Sequence, residues 1–204
     1  MNSRIKQLIN TFKTRHIDAL LVTQDTNIAY LTRFPASESW LLVSKRKASY
    51  ITDFRYILEA RNGLKGIGVV RYIKSKGETL FQTCRQQNIR HPGFDPNHLT
   101  VAQYQALQKE CLRPVKLVAV PHLVEALRET KDATEIKCIR QALAIHKQAY
   151  QLVKKFIHPN VTEQDILSRL EKLYDRKNLL NFENTGHGTR VTIRIPVGKP
   201  LPKD

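Results

Sequence analysis

The sequence predicts an α/β fold, a mixed sheet flanked by helices, followed by a mainly helical segment. Two patterns predict it. From Ser3 to Val120, apolar runs of strand length alternate with stretches of helical periodicity. From about His122 onward the alternation stops and long helical periodicities replace it. A chain of 204 residues holds one domain, or one and part of another. The expected domains are therefore residues 1–122 and 123–204.

Each element has its own signal. Ile5, Leu8, Ile9 and Phe12 fall at i, i+3, i+4, i+7 and predict a helix over Ser3 to Arg15. Ile17 to Thr23 is a buried strand, and Thr26 to Leu31 a helical turn with a polar start. Trp40 to Val43 and Ala48 to Thr52 flank the charged turn Ser44 to Lys47 and read as a hairpin. Tyr56 to Arg61 is helical, and Gly66 to Tyr72 is a fourth strand. Leu80, Phe81 and Cys84 share a helical face within Lys76 to Gln87. His91 to Pro96 is a strand end and turn. Thr100 can cap a helix that runs to Glu110, and Val115 to Val120 is a strand closed by Pro121. Beyond Leu123 to Arg128, a long helix over Asp132 to Ile157 carries Ile136, Ile139, Leu143, His146, Tyr150 and Val153 on one periodic set. His158-Pro159-Asn160 interrupts it, and Thr162 to Asp165 opens a further helix to Lys177. No sheet is expected in this second segment, although Val191, Ile193 and Ile195 alternate.

Charge narrows the function. Lys and Arg number 34 against 18 Asp and Glu, a formal charge of +16. Such a surface attracts polyanions weakly and nonspecifically without a dedicated site. The bases are dispersed over Lys45-Arg46-Lys47, Arg71 to Lys76, Lys154-Lys155 and Arg176-Lys177. Tyr30, Tyr50, Tyr56, Tyr72 and Tyr104 are not interleaved with them as a base-stacking platform requires. Cys84, Cys111 and Cys138 are an odd number without a CxxC spacing, which argues against a disulfide frame or a structural zinc site. They read as small apolar positions in a reducing compartment. The N-terminus lacks an apolar h-region, and no apolar run nears the roughly 20 residues that span a bilayer. A cytoplasmic location without membrane contact is expected.

Three segments then carry a family likeness. Ile17-Asp18-Ala19-Leu20-Leu21-Val22, Asn27-Ile28-Ala29-Tyr30-Leu31-Thr32-Arg33-Phe34 and Ile51-Thr52-Asp53-Phe54-Arg55-Tyr56 resemble, in order and spacing, the N-terminal domain of the creatinase / Xaa-Pro aminopeptidase / prolidase family. Leu127 to Ile136 resembles that family's linker into its pita-bread catalytic domain, and Ile157 to Glu163 its next helix junction. The likeness covers about residues 1–183. Two positions depart from it: the family usually has Gly where Arg33 and Asn160 stand. The resemblance implies a creatinase/prolidase-type α/β domain leading into the start of a pita-bread domain. It implies that Asp53, Arg55 and Tyr56 border a substrate cleft for proline-containing peptides. It also implies dimers, either of this chain or with a full-length relative. Read without the family, Asp53 is a helix cap, Arg55 pairs with a carboxylate or stacks, and Asn27 and Tyr30 are structural.

In full-length members the resemblance further implies two divalent metals (Mn, Co or Zn) held by two Asp, one His and two Glu, which clamp a hydroxide and polarise the scissile carbonyl. After Leu180 this sequence offers only Glu183, Asp204 and His187, and Pro196-Val197-Gly198 has Val where the family has His. No HExxH or tight acidic pair substitutes for the missing set. The expectations are no catalytic residue, no metal ligand and no cofactor for this chain. It reads as a shortened Xaa-Pro peptidase, not catalytic alone. The alternative is a basic, non-enzymatic binding or dimerisation module that contacts nucleic acid or another polyanion.

Overall fold

The computed structural model describes residues 2–111, 113–175, 180–185 and 188–193, with side chains described as far as 172. The expectations placed on His187, Pro196-Val197-Gly198, Asp204 and the Glu183 side chain lie outside the described residues. Two compact units divide at Thr130, Met1–Thr130 and Lys131–Asp204. The change in sequence texture at His122 falls within the first unit, because Leu123 and Val124 just beyond it are buried in that unit's core.

The first unit is a six-stranded mixed sheet with helices on both faces. Its strands are β1 (Ala19–Val22), β2 (Trp40–Ser44), β3 (Ala48–Thr52), β4 (Gly68–Arg71), β5 (Pro92–Phe94) and β6 (Val118–Ala119), in the spatial order β4-β3-β2-β1-β5-β6. The three central strands are joined antiparallel, whereas β4, β5 and β6 add parallel neighbours at the two sides. Strand residues alternate faces, so each central strand feeds two cores. Leu20 and Val22, Leu41 and Val43, and Tyr50 face one side. Ala19 and Leu21, Leu42, and Ile51 face the other. Burial on both faces explains why these strands read as continuous apolar runs.

Helix α1 (Ser3–Asn10) starts at Asn2, whose Oδ1 accepts the Ile5 N–H at 2.9 Å, and buries Ile5 and Leu8. It ends at Asn10, short of the expected Arg15, yet Phe12 still packs inward from the turn that follows. Helix α2 (Asp25–Thr32) buries Ile28 and Leu31 on the same face. It stops at Arg33, which adopts φ 57°, ψ 25°. Helices end readily on such a left-handed residue, normally Gly, so Arg33 takes a conformation that favours Gly despite its side chain. Asn160 does likewise at φ 74°. Helix α3 (Ile57–Gly63) follows β3. At its end a Cβ on Gly63 would clash with the Phe34 ring, which packs edge-on against Tyr50.

On the opposite face lie α4 (Lys76–Gln86), capped by Ser75, and α5 (Val101–Glu110), opened by a capping box between Thr100 and Gln103. Leu80, Phe81, Cys84 and Leu107 fill that core. The strand expected over Val115 to Val120 shortens to β6, because β5 offers only Gly93 and Phe94 as partners. A helix α6 (Leu123–Glu129) closes the first unit.

The second unit contains α7 (Ala133–Phe156), opened by a capping box between Asp132 and Glu135, and α8 (Glu163–Asp175). Asp165 accepts hydrogen bonds from the Thr162 N–H and hydroxyl ahead of α8, so Asp serves where Glu or Gln is usual. The expectation of no sheet is corrected by a hairpin, β7 (Leu180–Thr185) and β8 (Gly188–Ile193). The alternating Val191 and Ile193 lie in β8.

Candidate functional site

The segment Asp53 to Tyr56 leaves β3 where β4 also ends, since Thr52 is in register with Arg71. Asp53 is nearly buried, and its Oδ1 accepts the Arg55 N–H at 2.8 Å. Its Oδ2 accepts Arg55 Nε at 3.0 Å and Nη2 at 2.6 Å. Asp53 therefore builds a local turn rather than capping α3, whose N-cap residue is Tyr56 without a side-chain cap. The hydrogen bonds from the Arg55 guanidinium hold the Asp53 carboxyl below the usual aspartate range. Arg55 also lies 5.1 Å from the Tyr56 ring centre, so it both pairs and stacks. Half of its side chain remains solvent-exposed. Phe54 and Leu58, close to it in sequence, are exposed apolar side chains, and Arg71 sits 5.9 Å from the Phe54 ring centre. The structure thus brings Asp53, Arg55 and Tyr56 together as one preformed turn with a guanidinium facing outward.

Asn27 and Tyr30 do different work. Asn27 is buried in α2, and its Nδ2 donates to Glu125 Oε1 at 2.6 Å while its Oδ1 accepts from Arg128 Nη1 at 2.8 Å. Tyr30 Oη donates to the Leu127 carbonyl at 3.1 Å. Both residues fasten α2 to α6, about a hundred residues away in sequence, and their role is structural.

Glu125 carries this network onward to the far end of β5. His98 Nε2 lies 2.7 Å from Glu125 Oε1. Asp95, one turn earlier, accepts the Asn97 N–H at 2.9 Å and the His122 N–H at 2.6 Å. Ligand atoms of Asp95, His98 and Glu125 all lie within 4.8 Å of one another. Burial pushes the Glu125 carboxyl up, but hydrogen bonds from Asn27 and His98 outweigh it and hold the group below its ordinary range. Sequence reasoning singled out none of these three. Asp95 and His98 sit on a turn between elements, and Glu125 lies 27 residues past His98, so no local spacing reports them.

Within the second unit, an open groove between α7 and α8 is lined by Lys147, Lys155 and Arg169 beside Leu152 and Phe156. Arg169 stacks 3.6 Å above the Phe156 ring. Among the described residues, no His, Cys, Asp or Glu lines this groove.

A two-faced mixed sheet closed by α6, with a charged turn at the end of β3, makes the first unit a mixed α/β domain. The chain belongs to the Creatinase/Prolidase N-terminal domain family, whose model matches residues 4–130. It is 32% identical over 168 residues to the Bacillus subtilis protein named Uncharacterized peptidase YqhT, covering 82% of this chain and 47% of that protein. The fold matches the Xaa-Pro dipeptidase from Bacillus anthracis with a TM-score of 0.77 and 28% identity, over 85% of this chain and 48% of that one. The N-terminal domain of the cytoplasmic peptidase PepQ from Mycobacterium tuberculosis is matched over its whole length and 63% of this chain, with a TM-score of 0.58 and 28% identity. The chain spans about half the length of the curated relatives it matches.

Proposed function

We propose that this chain supplies the N-terminal domain and the first catalytic-domain helices of an Xaa-Pro peptidase, and that its own residues do not hydrolyse peptides. The observation that carries the reading is the family match over residues 4–130, extended by a fold match to an Xaa-Pro dipeptidase across 85% of the chain. The dinuclear centre implied by the family needs one His and four carboxylates. Among the described residues, such side chains gather in a group of three or more only at Asp95, His98 and Glu125, in the first unit. One imidazole and two carboxylates do not fit a pair of ions, and no hydrolytic step is assigned to them.

The role that remains is to wall a cleft and to associate. The turn of Asp53, Arg55 and Tyr56 is suited to the first task. Its guanidinium is held by Asp53 yet half-exposed, ready to meet a peptide carboxylate with forked geometry. Phe54 and Leu58, exposed apolar side chains close to it in sequence, are suited to the second, association with a second copy or a full-length relative. The three free thiols accord with a cytoplasmic location, and no helix among the described residues is long and apolar enough to cross a membrane. The direct trial incubates the purified chain with an Xaa-Pro dipeptide and Mn²⁺. No turnover above a metal-only blank is expected, and release of proline above that blank refutes the reading.

The charge of +16 favours a second property, weak binding of polyanions. Binding to DNA or RNA is expected only at low salt. Sub-micromolar affinity at physiological salt would instead favour a dedicated binding module.

A further inference from the structure

We propose that Asp95, His98 and Glu125 form a mononuclear site for a borderline divalent cation such as Zn²⁺. The three residues come from two places: Asp95 caps the 3-10 turn that ends at His98, and Glu125 lies in the first turn of α6. The fold nevertheless brings one imidazole nitrogen and two carboxylate oxygens within 4.8 Å of one another. That donor set suits zinc with a fourth position open to water, and the imidazole disfavours Mg²⁺ and Ca²⁺.

The surroundings favour a site over a chance cluster in two ways. First, each carboxylate has hydrogen-bond donors that survive when a metal replaces the His98 to Glu125 hydrogen bond. Asp95 keeps the Asn97 and His122 N–H groups, and Glu125 keeps Asn27 Nδ2, itself oriented by Arg128. Outer-shell donors of this kind set the orientation of ligating carboxylates. The backbone under His98 is also held, since its carbonyl accepts the Thr23 hydroxyl at 3.2 Å. Second, the three residues line one small cavity together with Leu20, Val22, Val120 and Val124. That apolar lining lowers the local dielectric, while the side chains of His98 and Glu125 keep about a fifth of their surface open for entry. Metal binding moves no electrons: the cation takes lone pairs from one neutral imidazole and two carboxylates, and only a proton on His98, where present, is released to solvent. The bound ion would tie the turn after β5 to α6 and stiffen the last helix of the first unit.

The test strips the full chain with EDTA, dialyses it against Zn²⁺ and measures bound metal together with the thermal midpoint. One zinc per chain and a midpoint that rises with zinc concentration are expected. His98→Ala and Glu125→Gln should lose the metal and the midpoint rise, and Asn27→Ala should weaken binding by about 10–100-fold. If a variant fails to fold, Co²⁺ loaded into the unaltered chain gives an independent readout. Visible ligand-field bands without a thiolate charge-transfer band support the site. Thiolate bands, zinc retained by folded His98→Ala, or no zinc taken up by the stripped chain would each overturn it.

Discussion

Helices α1 and α7 carry the same kind of sequence signal and meet different fates. In α1 and the turn after it, Ile5, Leu8 and Phe12 are fully buried against the sheet. In α7, Ile136, Ile139, Leu143 and Tyr150 follow a spacing of three, four and seven residues, yet they are 40%, 46%, 61% and 65% exposed. The inward face of α7 is narrower, with Ile145 and Ala149 as its buried residues. Periodicity reports that a helix has an apolar face. It does not report that something covers that face. In the first unit the strands of the sheet do so, whereas in the second the described partners of α7 leave the stripe open.

The largest expected difference follows directly. Leu8→Ala removes a fully buried side chain and should cost about 2–5 kcal/mol in urea unfolding of the first unit. Leu143→Ala, on a side chain 61% exposed, should change stability by no more than about 0.5 kcal/mol. Equal losses at the two positions would mean that the α7 stripe is covered in solution, and the contrast between the units would collapse.

A second, smaller effect probes how α6 is held. Asn27→Ala leaves Glu125 and Arg128 short of one partner each and should cost about 1–3 kcal/mol. The same network carries a pH signature. The Glu125 carboxyl is held below its ordinary value in the folded state, so its contribution is present above the usual glutamate range. That contribution is lost as pH falls through the lowered value. In metal-free buffer, Glu125→Gln should flatten the decline of stability below about pH 4.3. An unchanged acid limb would show that the α2–α6 bridge does not depend on the charge of Glu125.

Legibility follows the range of the interactions. The hairpin of β2 and β3 is readable because its turn is local, Ser44 closing onto Lys47 through both backbone and hydroxyl. The ends of α4 and α5 are readable because Ser75 and Thr100 cap within three residues. Strand β6 is overextended in the sequence reading because its length is set by a partner, β5, that offers few residues. The stop of α2 falls on a left-handed Arg33, which no propensity favours. The Asp53 turn is legible as a cluster since its bonds span two residues, although its chemistry is a turn and not a cap. The Asp95, His98 and Glu125 group is not legible, because closing α6 onto β5 is what creates it.

The gentlest test of the contrast perturbs no residue. Cys84 is fully buried among Leu80, Phe81 and Ile89, and burial pushes its thiol up to about 12. The thiolate is the reactive form, so near pH 8 this group is both inaccessible and almost wholly protonated. Cys111 is raised in the same direction by partial burial, and its Sγ donates to the Val115 carbonyl at 3.3 Å. Cys138 lies on α7 and is only partly buried. Timed alkylation with iodoacetamide followed by peptide mass analysis should therefore label Cys138 first and Cys111 later. Cys84 should react only after denaturant is added. Should Cys84 react in native buffer as fast as Cys138, the sheet of the first unit would have to open as readily as the second unit, and burial in the first core would not confer the protection claimed for it.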